Sequence, residues 1–136
     1  MIDRIDIRPS DRVLLLSIPE PAIVAELAAR LPAGLIVALG SDDEVREARR
    51  ASRHLENVMF APAGTEQIPW QDGFFSVAIA FDRGSDHPDP VASELARVLS
   101  PGGRAFFAPT TVVPDDLAAA GFRDAALDGS LLVATR

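Results

Sequence analysis

Read from the amino terminus, the hydrophobic positions fall into short solid runs separated by helical stripes. Ile2, Ile5 and Ile7 are interspersed with charge, and the R-P-S-D-R that follows, residues 8–12, reads as a turn after an extended lead-in. Val13 to Leu16 is then wholly branched and apolar, which predicts a strand buried on both faces and so a central parallel strand. The V-L-L-L-S-I-P-E-P stretch from Val13 to Pro21 ends that strand in a loop and opens a helix. Pro21 suits a first helical position, and Ile23, Val24, Leu27 and Leu31 make one stripe before Pro32 and Gly34 stop it.

The same alternation continues to the end of the chain. Leu35 to Leu39 reads as a second strand, and Gly40 leads into S-D-D-E, a capping box with Ser41 as N-cap and Glu44 reaching back. Asp42, Asp43 and Glu44 sit at the positive end of that helix, while Arg49, Arg50 and Arg53 sit toward its negative end. Val58 to Ala61 is a short third strand, Ala63 to Ile68 a turn or short helix, and Phe74 to Phe81 a fourth buried strand. Asp89 and Pro90 read as N-cap and first-turn proline of a helix carrying Val91, Leu95, Val98 and Leu99. Pro101-Gly102-Gly103 ends it before a strand over Arg104 to Ala108. A last helix over Asp115 to Ala120, capped by Gly121, precedes an antiparallel hairpin of Phe122 to Leu127 and Leu131 to Ala134. The expected fold is α/β: a Rossmann-like, doubly wound, mostly parallel sheet closed by a C-terminal antiparallel hairpin.

Composition narrows the chemistry more than the fold. A chain of 136 residues with 48% hydrophobic content fits a single domain over 1–136 that buries roughly two-thirds of its unfolded surface. The formal charge of -7 disfavours sequence-independent binding to nucleic acid or an anionic membrane, which needs clustered cations. All 13 cations are arginine, and Lys, Cys and Tyr are absent. Schiff-base, thiolate and phenol mechanisms are therefore excluded, as are disulfides and zinc-thiolate sites. No stretch has signal-peptide character or membrane-spanning length, so the expectation is a cytoplasmic protein.

One loop collects titratable groups: F-D-R-G-S-D-H-P-D-P after the fourth strand, with Asp82, Asp86, His87 and Asp89. Ligands of open α/β sheets bind at the carboxyl ends of strands, so an Asp-His pair there could act as general base or half a metal site. A loop of this composition is equally a turn with a helix cap, and no metal is expected from it. His54, late in the second helix, reads as solvated. Ser17 lacks the G-x-S-x-G elbow of a serine hydrolase, and the missing glycines also exclude a dinucleotide fingerprint.

Four segments together are specific: R-P-S-D-R-V-L at 8–14, N-V-M-F at 57–60, I-P-W-Q-D-G-F-F-S-V at 68–77 and L-A-R-V-L-S-P-G-G-R at 95–104. Through them nearly the whole chain resembles the class I S-adenosylmethionine-dependent methyltransferases. The resemblance implies that family's sheet, with Trp70 and Phe74 as packing aromatics. It also implies where a cofactor should sit, and there the residues depart from the pattern. The acidic position of the first strand is Leu15, and the three loop glycines are Ser17, Pro19 and Pro21. The ribose-binding acid at the end of the second strand is Leu39, with Gly40 beside it. The acid that meets the adenine amino group is Gly64, and the acid within the fourth-strand motif is Ser76.

These losses act together. A charge-assisted hydrogen bond contributes about 1.5–3 kcal/mol, so losing the acceptor at Leu39 costs roughly tenfold to a hundredfold in affinity. Pro19 and Pro21 remove backbone donors and fill space that glycine leaves open; Glu20 would repel the methionine carboxylate. The expectation is a methyltransferase-fold protein without bound cofactor or methyl transfer, acting as a structural or regulatory partner. The alternative is an atypical S-adenosylmethionine-dependent methyltransferase acting on a small molecule or protein, with Asp42 or Asp43 reaching the ribose. A chain that begins almost at its first strand would present any substrate with an open face. Function then falls to a surface. The apolar run Leu131-Leu132-Val133 must be covered on both faces, and a homodimer or another protein partner is expected.

Overall fold

The computed structural model describes residues 7–63, 68–81, 88–108, 122, 124–128 and 131–136. Its elements run β1 (Arg12–Leu15), α1 (Pro21–Ala29), β2 (Leu35–Gly40), α2 (Asp42–Ala51), β3 (Val58–Pro62), β4 (Phe75–Phe81), α3 (Pro88–Val98), β5 (Leu99–Ala108), β6 (Asp124–Asp128) and β7 (Leu131–Thr135). Among the described residues these strands form one sheet in the order β3-β2-β1-β4-β5-β7-β6. β1 to β5 are parallel, and β7 pairs antiparallel with both β5 and β6.

The solid apolar runs become strands buried on both faces. Val13, Leu15, Ile36, Ala38, Val77 and Ile79 face α1 and α2, where Val24, Leu27 and Leu31 of the first helical stripe meet them. Leu14, Leu16, Val37, Leu39 and Ala78 face the opposite way, toward Leu95 and Val98 of α3. The sheet is therefore covered on each side, and the crevice for a ligand lies where the strand order reverses, at the carboxyl ends of β1 and β4.

Caps and turns follow the sequence with some shifts. The capping box forms as expected: Ser41 N donates to Glu44 Oε1 at 3.0 Å, and Glu44 N donates to Ser41 Oγ at 3.2 Å. α3 opens at Pro88 rather than after Asp89. A proline still holds its first position, but it is the earlier of the two. Leu99 belongs to β5 rather than to the helix. It pairs with Phe75 while Arg104 pairs with Val77, so Ser100 to Gly103 bulge out of the ladder. Gly102 adopts φ +83° in this bulge, a conformation that favours glycine. The predicted helix over 115–120 lies outside the described residues.

β7, which carries the Leu131-Leu132-Val133 run, is an interior strand between β5 and β6. Val133 packs on the α1/α2 side and Ala134 is buried on the α3 side. At these two positions the chain covers its own apolar surface.

Candidate functional site

The crevice at the carboxyl ends of the strands is bounded on one side by the β1–α1 loop and the end of β2. Leu15 is fully buried in the core, and Ser17 is 5% exposed. Leu16 N donates to Ile79 O at 3.1 Å, so β1 and β4 stay paired up to the loop. Beyond it, Glu20 is the N-cap residue of α1, but its side chain makes no capping bond. Its carbonyl instead accepts from Ile23 N at 2.9 Å and Val24 N at 3.1 Å. Pro21 has no N–H to give. A helix start commonly serves as an anion cradle through free backbone donors; here Pro21 lacks one of those donors and the Glu20 carbonyl takes a second, the Ile23 N–H.

At the end of β2, Leu39 is 1% exposed and points into the α3-side core. Gly40 has Ile18 folded against it. A Cβ added at Gly40 would stand 2.8 Å from Ile18 Cδ1 and 3.3 Å from Glu44 Cβ. Ile18 therefore lies against the end of β2, and neither Leu39 nor Gly40 carries a side-chain acceptor. Asp42 and Asp43 are both exposed in the first turn of α2. Asp43 Oδ1 lies 3.6 Å from Arg46 Nη1, an outward surface pair. Gly64, Asp82, Asp86 and His87 lie outside the described residues. Among the described residues no group of His, Asp and Glu is arranged to hold a metal ion.

Ser76 is not a crevice residue. It lies at the opposite, amino-terminal end of β4, where its Oγ accepts from Arg12 N at 2.9 Å and donates to Asp11 Oδ1 at 2.9 Å. Asp11 Oδ2 in turn accepts from Arg8 N at 2.7 Å. The serine and Asp11 together stitch the lead-in turn to β4, a structural task. Trp70, Phe74 and Phe75 pack on one another, with ring centroids 6.0 Å and 4.9 Å apart, and the Arg12 guanidinium lies 4.9 Å from the Phe74 ring centroid.

The retained motifs 68–77 and 95–104 are joined by Arg97. Its guanidinium donates to Glu94, to Asp72 Oδ1 at 2.8 Å, and to the carbonyls of Ile68 at 2.6 Å and Trp70 at 2.8 Å. The hydrogen bond from Arg97 holds the Glu94 carboxyl below its ordinary pKa, against the opposing effect of burial. The same bond, followed by the one to Asp72, pushes the Arg97 guanidinium up. Both segments carry the fold's signature in sequence, but nothing in either announces that one side chain ties them. Ile18 is equally unannounced: its only signal is an apolar residue set among prolines in a loop.

A family model described as a methyltransferase domain matches residues 21–107. The chain belongs to this methyltransferase family, and its solved neighbours include S-adenosylmethionine-dependent enzymes. It is similar to the [4+2]-cyclase SpnF, at 22% identity and TM-score 0.77, over 93% of this chain and 56% of that one. It is similar to a SAM-dependent methyltransferase from Aquifex aeolicus, at 16% identity and TM-score 0.77, over 98% and 85% of the two chains. A putative methyltransferase from Haloferax volcanii, solved in complex with the Trm112 methyltransferase activator, matches at 15% identity and TM-score 0.81 over the same shares. At these identities the likeness establishes the fold, and the chain spans little more than half the length of the cyclase. No curated protein sequence matches it. Among the described residues no helix is long and apolar enough to cross a membrane.

Proposed function

We propose that this methyltransferase-domain protein has lost S-adenosylmethionine binding and methyl transfer and serves as a structural or regulatory partner, of another protein or of a second copy of itself. The observation that carries the reading is the contact of Ile18 with Gly40. It sets an aliphatic side chain against the end of β2, where neither Leu39 nor Gly40 carries an acceptor for ribose hydroxyls. Pro19, Pro21 and Glu20, whose side chain makes no capping bond, point the same way, since an anionic group meets fewer donors and a carboxylate at the start of α1. The residues present on this wall do not fit the cofactor. The Haloferax volcanii neighbour, solved with an activator protein, supports the partner half of the reading, because it shows this fold engaged with another protein.

Isothermal titration with S-adenosylmethionine and S-adenosylhomocysteine tests it. A ligand with a micromolar dissociation constant, present at about 1 mM, would stabilise the native state by about 4 kcal/mol and raise the melting temperature by roughly 10 °C. We expect no binding heat and no shift. A micromolar constant would restore the atypical methyltransferase, with Asp42 or Asp43 then the residues to substitute first.

A further inference from the structure

α2 turns toward α1 the positions Glu44, Glu47, Ala48 and Ala51, spaced as one helical face. A face directed at a neighbouring helix ordinarily carries bulky apolar side chains. Here two alanines leave the space between the helices open, as a cavity of about 420 Å³. This is within the size range of small-molecule sites. Its inner surface is mostly apolar: Val24 and Phe60 line it and are 1% and 5% exposed, with Ile18 and Pro21 at the loop end and the buried Ser52 also on the wall. The cavity lies between α1 and α2 and shares Ile18, Pro19 and Pro21 with the loop that bounds the crevice at the strand ends.

Charge on its wall is one-signed. Glu47 is exposed, lines the cavity, and pairs with no cation among the described residues. Two neighbouring arginines are committed elsewhere, Arg46 to Asp43 and Arg49 to the Phe60 carbonyl. An apolar floor with a carboxylate at its edge is complementary to a molecule that has an apolar body and one positive charge. Anions of the same shape would be repelled, and neutral molecules would gain only the apolar contact.

We propose that the cavity between α1 and α2 binds a small amphipathic cation, a protonated amine on an aromatic or aliphatic body, with the body against Val24 and Phe60 and the ammonium at Glu47. The proposal does not depend on whether the chain binds S-adenosylmethionine.

The test is a titration of the 15N-labelled full chain with phenethylamine, with 2-phenylethanol and 3-phenylpropionate as neutral and anionic counterparts. Expected are saturable amide shifts at Val24, Glu47, Ala48, Ala51 and Phe60, with the amine binding about twofold to fivefold more tightly than the alcohol and the anion weakest. Glu47→Gln should abolish the amine's advantage and leave alcohol binding unchanged. Ala48→Leu should block both, with Ala51→Leu as the substitute if the first variant loses its native spectrum. Shifts that do not saturate, equal affinity for amine and anion, or binding that survives the filled cavity would each overturn the proposal.

Discussion

Nε of Arg97 stands 2.7 Å from Oε2 of Glu94, while the other oxygen of that carboxylate accepts the backbone N–H of Ile68 at 2.7 Å. One ion pair on α3 therefore holds the segment that enters β4. It satisfies the Ile68 N–H and, through Arg97, the Ile68 and Trp70 carbonyls. The two side chains are 32% and 18% exposed, so water replaces little of what they supply. Arg97→Ala should cost about 2–4 kcal/mol, because it strands a carboxylate and two carbonyls together. Urea denaturation followed by circular dichroism checks this, and a loss below about 1 kcal/mol would show that the segment does not need the pair.

The same pair sets an acid dependence. The hydrogen bond from Arg97 depresses the Glu94 pKa in the folded state, so folding releases a proton that the unfolded chain would hold. The stability gained is fully present above the ordinary value of 4.5 and is lost as pH falls through the lower folded value. Urea midpoints measured from pH 7 down to pH 3 should fall below about pH 4.5. Glu94→Gln should start lower and fall less over that range; parallel curves would assign the acid sensitivity to other carboxylates.

Ile18 and Gly40 should be energetically coupled. Gly40→Ala brings a Cβ to 2.8 Å from Ile18 Cδ1, the free end of a side chain that can turn aside, so the expected cost is about 1 kcal/mol. In an Ile18→Ala background that cost should vanish. A double-mutant cycle in thermal or urea unfolding reads the difference directly. Additive effects would mean that Ile18 does not occupy the end of β2.

Two other glycines separate steric from conformational need. A Cβ on Gly34 would lie 2.3 Å from the Asp11 carbonyl oxygen, backbone against backbone, where nothing flexible can yield. Gly34→Ala should destabilise by about 3 kcal/mol or more. Gly102 has φ +83° and open space around its Cα, so Gly102→Ala should cost only the conformational strain, about 1–2 kcal/mol. Equal losses at the two positions would contradict this distinction.

The fold was legible because its causes are local and repetitive. Runs such as Val13 to Leu16 and Leu35 to Leu39 can be buried on both faces only in a covered parallel sheet, and Ser41 to Glu44 announces its cap outright. What the sequence hid are relationships between distant residues. Ser76 looks like a lost acid in a ligand motif, yet its place at the amino end of β4 makes it a partner of Asp11, 65 positions away. Leu99 continues the helical stripe of α3, and only the bulge at Ser100 to Gly103 moves it into β5. At the crevice Leu39, Pro19 and Pro21 were visible as departures from a pattern, but the approach of Ile18 to Gly40 was not. A loop residue has no periodicity from which its direction could be read.

β3 is an edge of the described sheet, and a free edge is the usual place for two sheets to join. Ile36 N donates to Asn57 O at 2.9 Å and Ala63 N donates to Gly40 O at 3.1 Å. By the alternation of a parallel ladder, the backbone groups of Val58, Phe60 and Pro62 therefore face outward. Pro62 has no N–H to offer, and the Phe60 carbonyl is taken by Arg49 Nη2 at 3.0 Å. The edge is blunted at two of its three outward positions, so a homodimer of this chain should form elsewhere. Size-exclusion chromatography with light scattering at micromolar concentration should give twice the monomer mass of 14.5 kDa, unchanged in Arg49→Ala. That variant should instead scatter light earlier on heating, because it uncovers a β-edge acceptor. A mass of 14.5 kDa at every concentration would remove the homodimer and leave a heteromeric partner. A dimer whose dissociation constant changes tenfold in Arg49→Ala would place the seam at β3 after all.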